Sequence, residues 1–453
     1  MDPRPASPAA VSAFDLLRGF PLNRARKYFL TVAISMLAAT ILLKLGEIQY
    51  LELLLALDFL VVVTIFFKDG LQTAIYRPYL RIGCYYAVFA IGAILLSMIA
   101  LQQQTFYSFD DSALKKPLIV TLSRVAELFL DVFYMLYMAH IYREDQRLCR
   151  LGMITYYWTA VAACFYSVFS FPANYFFESQ LGTYANLHRF RGFLNEGGPF
   201  GMYLISVCMV TGALYQREWI SKRKFHWGMT IFAVCFLGSQ SKSAFFAALL
   251  VVSIDLMWKL HGWKLISMFA VAALAAVIVG NIIDIREKID VVVRGSATYQ
   301  QSAYLRPTDG NIIMGRVAGA VLAPRMIAAH PLAGIGWGNY ALVRNDPPYR
   351  QGTPFSLGSL DSPSLGVLDY LVELGFPLFF FLCWTELQPL LILRRHHANF
   401  WVVNMAMIQP LSNWFGAHLN LTYPWVVVGF ALGLGYSQTK SESAALAHPD
   451  VPA

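Results

Sequence analysis

Apolar runs of about 20 residues, each long enough to cross a bilayer, recur from one end of this 453-residue chain to the other. No other feature narrows the fold so far. In the hydrocarbon core every backbone amide and carbonyl must find its partner inside the protein, which leaves helices or a closed barrel. Continuous runs of this length read as helices. The chain is 57% hydrophobic and 14% charged, with a mean hydropathy of +0.51, whereas soluble domains carry about 25% charge. An all-α integral membrane protein is expected.

Spans are expected at about 28–44, 49–67, 82–101, 118–140, 152–171, 199–215, 227–238, 243–258, 265–283, 365–393, 400–415 and 423–437. The seventh and eighth are short and form a hairpin around Ser239-Gln-Ser-Lys-Ser243, and the tenth is broken at Gly375-Phe-Pro377. Residues 1–27 are polar, Pro/Ala-rich and then basic, without the apolar core of a signal peptide, and read as a cytoplasmic segment. Residues 28–437 form a polytopic transmembrane domain, and 438–453 a disordered cytoplasmic tail. There is no internal repeat.

Lysines and arginines set the orientation. Arg18, Arg24, Arg26 and Lys27 precede span one, and Lys68, Arg77 and Arg81 lie between spans two and three. Arg143, Arg147 and Arg150 follow span four, and Arg217, Lys222, Arg223 and Lys224 follow span six. Lys259 and Lys264 follow span eight, and Arg394 and Arg395 follow span ten. With both termini cytoplasmic and twelve spans, all of these fall on one side. The net charge of +8 comes mainly from them, so it does not point to nucleic acid. The exceptions face outward: Arg189, Arg191 and a large periplasmic loop of about 284–364. A long translocated loop is insensitive to the charge rule, but a short one is not.

Arg191 opens the stretch Arg191-Gly-Phe-Leu-Asn-Glu-Gly-Gly-Pro-Phe-Gly201, which runs into an apolar helix. An arginine beside a glycine-rich turn at a membrane surface is a natural seat for a diphosphate. Asn195 lies in the same turn. Glu196 is either a site carboxylate or a helix N-terminal acid favoured by the dipole. Downstream, an amphipathic stretch from Arg316 through Ala329 ends in His330-Pro-Leu-Ala-Gly-Ile-Gly-Trp-Gly-Asn339. Here proline stops the helix and three glycines permit a tight turn. Trp337 suits sugar stacking or, more commonly, an interface anchor. His330, at the helix end, reads as a cap on the last carbonyls. Span four carries Arg124, Glu127 and Asp131 on one face; charges there are normally paired, and the functional alternative has Arg124 lining a lipid-diphosphate groove. Lys242, at the hairpin tip, either reaches phosphate or snorkels. The six cysteines lie in or beside spans, with no disulfide framework and no metal site expected.

Taken in order, these residues resemble the O-antigen ligase and Wzy-type polymerase superfamily of bacterial surface-polysaccharide assembly. The resemblance runs from Arg-Gly-Phe-x-Asn before a span, through Gly-Ser-x-Ser in the hairpin and Gly-Arg316, to His330-Pro-Leu-x-Gly-Ile-Gly and Leu371-Val-Glu-Leu-Gly375. It covers about residues 185–395, and the His-Pro-Leu element with the preceding arginine is its most specific part. It implies a GT-C-like, all-helical glycosyltransferase that needs no metal and no cofactor. The donor would be a glycan on undecaprenyl diphosphate at the outer leaflet of the bacterial inner membrane, and the partner an acceptor sugar. Arg191 and Arg316 match the family's two functional arginines. The ligase pattern His-[Asn/Ser/Gln]-x9-Gly places its histidine at Ser364, so the ligase base is missing. That favours a polymerase, working with a chain-length regulator and a flippase. Candidate bases are then Glu196, Asp361 and His330, and Arg189 joins the substrate-binding set. The rivals are a ligase acting on lipid A-core or another acceptor, and a transporter of lipid-linked sugars. A transporter should show inverted repeats and charges near the midplane of several spans.

Overall fold

The computed structural model describes residues 21–38, 40, 44–45, 48–49, 53–60, 76–103, 116–177, 183–184, 189–259, 322–343, 346–350, 366–395, 398–415 and 421–447. The helix α1 (Pro21–Leu37) is followed by a hairpin of two short strands, β1 (Lys44–Leu45) and β2 (Ile48–Gln49), and by α2 (53–60). Three long helices come next: α3 (Arg77–Gln103), α4 (Pro117–Glu144) and α5 (Gln146–Phe177). A second hairpin, β3 (Thr183–Tyr184) with β4 (Arg189–Phe190), leads to α6 (Gly197–Gln216), α7 (Lys222–Ser239) and α8 (Lys242–Lys259). Beyond them lie α9 (322–329), the single turns α10 (Tyr340–Val343) and α11 (Pro347–Arg350), then α12 (Val367–Arg395), α13 (Phe400–Trp414) and α14 (Thr422–Ala447).

The chain is a mostly helical, multi-pass membrane protein. Among the described residues, α3, α5, α6 and α12 are long and apolar enough to cross a membrane, and shorter apolar helices occupy 242–251 and 422–435. A helix overlaps every expected span but the ninth, 265–283, which falls outside the described residues. The largest departures from the expected boundaries are in the first and last helices. The first helix starts at Pro21, not at 28, and ends before Lys44, which lies in β1. Proline suits a first helical turn. The basic run joins this helix because Arg26 has a partner: it donates to both carboxylate oxygens of Asp58 at 2.8 and 2.9 Å, and Asp58 also accepts the Tyr134 hydroxyl at 2.8 Å. At the other end, α14 continues through Ala447, so helical backbone enters the segment read as a disordered tail. Its Lys, Glu and Ala residues are good helix formers.

Small residues let the helices approach. Gly429 and Gly433, four apart on α14, face α4: a Cβ on Gly429 would lie 3.3 Å from the Met135 carbonyl, and one on Gly433 would lie 2.5 Å from Tyr142 Cβ. This is the close-approach geometry of membrane helix pairs. Between α12 and α13, Asn413 donates to the buried carboxylate of Glu386. Asp145 alone separates α4 from α5; it ends the first helix, and its side chain accepts the Arg147 amide at 2.9 Å.

Hydrogen bonds between helices sort their ends onto two faces. On one face, Tyr79 reaches Leu432 O, Gln146 reaches Gly433 O, Arg217 reaches Leu434 O and Tyr157 reaches Lys224 O. On the other, Ser167 receives the Gly192 amide, Arg189 reaches Ser239 O and Ser97 receives the Trp337 amide. The first face carries Arg77, Arg143, Arg147, Arg217 and Lys222–Lys224, and Arg189, Arg191 and Lys242 lie on the second. A small separate core, built from Leu322, Met326, Ile335, Tyr340, Val343 and Val372, lies on that second face and seats α9 and the glycine loop on α12.

Candidate active site

The Arg191 turn is shaped by glycines. Leu194 N–H closes it on Arg191 O at 3.0 Å. Gly192 has φ +57 and no room for a Cβ, which would lie 2.5 Å from the Phe200 ring. Its amide donates to the buried Ser167 hydroxyl at 2.9 Å. Leu194 is fully buried and anchors the turn, so Asn195 and Glu196 are exposed together at its tip. Glu196 is the N-cap residue of α6, with extended backbone and no hydrogen bond from its side chain to the helix amides. Its carboxylate therefore gains from the dipole without being consumed as a cap.

The α7–α8 hairpin lies directly against this turn. A Cβ on Gly197 would lie 2.6 Å from Ser239 O, and one on Gly201 would lie 2.7 Å from Ser241 Cβ. The hairpin is held by its serines: Ser241 Oγ accepts the Ala244 amide at 3.2 Å and contacts Ser243 Oγ at 3.2 Å. Gln240 ends α7 in the left-handed region, φ 49. Arg189 donates to Ser239 O at 3.1 Å and to Gln240 O at 3.3 Å, so it caps the C-terminus of α7, where a cation is favoured. Lys242, the first residue of α8, is exposed on the same hairpin. A cation at a helix N-terminus opposes the dipole, a placement suited to a group that meets an anion. The structure thus brings Arg189, Arg191, Asn195, Glu196 and Lys242 to one place.

The second locus is the glycine loop, residues 330–339. Gly334, Gly336 and Gly338 all have positive φ, at 65, 92 and 82. The loop pairs with a non-helical strip of α12, where Gly375 has φ 66 and ψ 172. Ile335 N–H donates to Val372 O at 3.1 Å, Gly336 N–H to Glu373 O at 3.0 Å, and Phe376 N–H to Pro331 O at 2.8 Å. Gly334 and Gly375 meet back to back: a Cβ on Gly334 would lie 2.3 Å from Glu373 O, and one on Gly375 would lie 2.5 Å from Leu332 O. The expected break at Gly375 is there, and its use is to let two backbones pair.

Trp337, expected as a sugar platform or an interface anchor, points into the core. It is 3% exposed and packs edge-on against Phe89, with ring centroids 5.2 Å apart. Its amide donates to Ser97 Oγ at 3.0 Å, and its carbonyl accepts from Thr121 Oγ1 at 2.8 Å. The glycines on either side turn the indole inward, and sequence alone cannot give that direction. His330 does not cap the helix with its ring, which pairs at Nε2 with the Tyr349 hydroxyl at 3.0 Å; burial lowers its pKa from the ordinary histidine value. Arg124 pairs with Glu127 at 3.2 Å, a partly exposed contact worth roughly 0.5 kcal/mol. Asp131 is buried and shares a small cavity with Thr422 and Trp425. Arg316, Asp361 and Ser364 lie outside the described residues.

Residues 227–383 match the family model described as O-antigen ligase. This stretch is a domain of the O-antigen ligase and Wzy superfamily. It contains the hairpin, the glycine loop and the strip around Glu373, and the Arg191 turn lies just upstream. Members of this superfamily are glycosyltransferase-like ligases and polymerases that act on a lipid-linked glycan and an acceptor. No curated protein matches the chain.

Three O-antigen ligase-domain neighbours were not assigned roles from sequence. Ser97 and Thr121 fix the loop to α3 and α4, and Ser167 fixes the Arg191 turn to α5. All three are buried hydroxyls in apolar helices, and polar groups at such positions usually carry a bond that holds the fold. Glu373 gave the same signal, as a carboxylate two residues before the helix break.

Proposed function

We propose that the protein is a bacterial surface-polysaccharide polymerase that joins undecaprenyl-diphosphate-linked repeat units at the periplasmic face of the inner membrane. The observation that carries this reading is the Arg191 turn, with Glu196 exposed at its tip and Lys242 on the hairpin it packs against. It lies on the face opposite the basic helix ends, beside an O-antigen ligase domain. By the charge rule the basic face is cytoplasmic, which puts the turn outside. The wider architecture in this reading is a twelve-span, GT-C-like bundle.

In the reaction an acceptor hydroxyl oxygen attacks the anomeric carbon of the donor glycan. The bond from that carbon to the diphosphate oxygen breaks, and the configuration inverts. Arg191 and Arg316 stabilise the charge that develops on the departing lipid diphosphate, and Asn195, Lys242 and Arg124 are placed to hold it. Glu196 takes the hydroxyl proton, which makes it the base in place of the histidine missing at Ser364. Asp361 and His330 serve in binding the glycans. No metal takes part. A chain-length regulator and a flippase are the expected partners.

Membrane vesicles supplied with lipid-linked repeat units test this directly. Arg191→Ala should abolish polymer without loss of protein, and activity should survive EDTA. Full-length polymer from the variant would refute the diphosphate role. The family description favours a second reading, transfer of finished glycan to lipid A-core. A deletion strain separates the two: a polymerase leaves single repeat units on the acceptor, whereas a ligase leaves complete polymer on the lipid.

A further inference from the structure

Glu386 lies well inside α12, between Gly375 and Arg395, about 16 Å from the first and about 14 Å from the second along a helix axis. It is 2% exposed. Among the described residues no ion pair reaches it, and α13, which packs against it, carries no charged side chain. A lone carboxylate at this depth is costly and is normally compensated. Its hydrogen-bond partner is Asn413 of α13, whose Nδ2 donates to Glu386 Oε1. The other end of that amide, Asn413 Oδ1, is buried and has no hydrogen-bond partner among the described residues. The same holds for Gln409 Oε1, one turn away on the same face of α13. Two prolines add acceptors. Pro389 and Pro410 lie inside α12 and α13 and donate no amide, so the carbonyls of Thr385 and Ala406 lose their helix partners. Thr385 directly precedes Glu386, and Ala406 shares the stripe of Gln409 and Asn413. The place is rich in oxygen acceptors and poor in donors.

We propose that Glu386, Asn413 and Gln409 form a site for a monovalent alkali cation, sodium, between α12 and α13. Carboxylate, amide and carbonyl oxygens are the ligands that hard cations take. Carbonyls freed where a membrane helix is interrupted serve sodium in the same way. The single carboxylate sets the valence. One positive charge brings the site to neutrality, whereas a divalent ion would leave net charge among apolar side chains. The ion joins α12 to α13 below the Gly375 break, so it acts on the stability of the bundle and not in the transfer step. The assignment does not rest on the function proposed above.

The test melts the purified full chain in detergent micelles, in sodium chloride and in choline chloride at equal ionic strength. Sodium should raise the melting temperature by about 2 °C or more, and the rise should saturate. Radioactive sodium should bind to the wild type, and magnesium should not displace it. Glu386→Gln keeps the shape and removes the charge, so it should stay folded and lose both the shift and the binding. Gln409→Leu should raise the half-saturating sodium concentration about tenfold, the scale of one lost contact to a charge. Equal melting temperatures in the two salts overturn the proposal. So does a wild type that binds no sodium, a measurement that needs no variant to fold. A sodium shift that survives Glu386→Gln overturns it as well. A melting temperature that rises as pH falls and ignores sodium would assign a proton to Glu386 in place of the cation, and it overturns the proposal too.

Discussion

Replacing Arg189 and Arg191 one at a time should separate two arginines that share a turn. Arg189 caps α7 through two carbonyls, so Arg189→Ala should lower the melting temperature in detergent, by an amount equivalent to about 1–3 kcal/mol. Its remaining activity should follow the folded fraction. Arg191→Ala should keep the melting temperature and lose transfer. A similar division applies to Trp337. As a buried core side chain, its replacement by alanine should destabilise the protein by about 3–5 kcal/mol, with Trp337→Phe milder. Loss of glycan affinity at unchanged stability would mean that the indole contacts sugar after all. His330 gives a pH signature. Its folded-state pKa is lowered by burial, so between that value and the ordinary histidine pKa the unfolded chain binds the extra proton. Stability therefore rises with pH across this window and is lost as pH falls. Melting curves at mildly acidic and neutral pH should differ more for wild type than for His330→Asn.

Helices were largely legible in the sequence because apolar runs of bilayer length have few other outcomes. Helix ends were less so. The start of α1 at Pro21 depends on Arg26 finding Asp58, a partner more than thirty residues away, and no local signal announces it. The Arg191 turn and the glycine loop were legible as turns from their glycines. The directions of their side chains were not: Trp337 faces the core because Ser97 and Thr121, on two other helices, hold its backbone. Glu373 was visible as a letter in a motif, but its carboxylate takes the amide of Tyr340, about thirty residues earlier. The α7–α8 hairpin allows a prediction at this scale. Gln240 holds a left-handed conformation that costs a non-glycine residue about 1 kcal/mol. Gln240→Gly should therefore raise the melting temperature slightly and leave activity intact.

For the whole molecule, the two faces make a statement about topology. In a chain cleared of its native cysteines, single cysteines at Glu196 and Lys242 should react with an impermeant thiol reagent in intact cells whose outer membrane has been permeabilised. Cysteines at Lys222 and Arg394 should react only after lysis. The opposite pattern would turn the bundle over and remove the proposed site from its substrate. The same face holds the glycine loop, most of whose amides are engaged before any ligand arrives. Such a surface has its conformational entropy removed during folding and has little left to lose on binding. A long, flexible lipid-linked glycan brings disorder of its own, so a receiving surface that is already still leaves the encounter with one partner to organise instead of two. It also has nothing to reset between one encounter and the next.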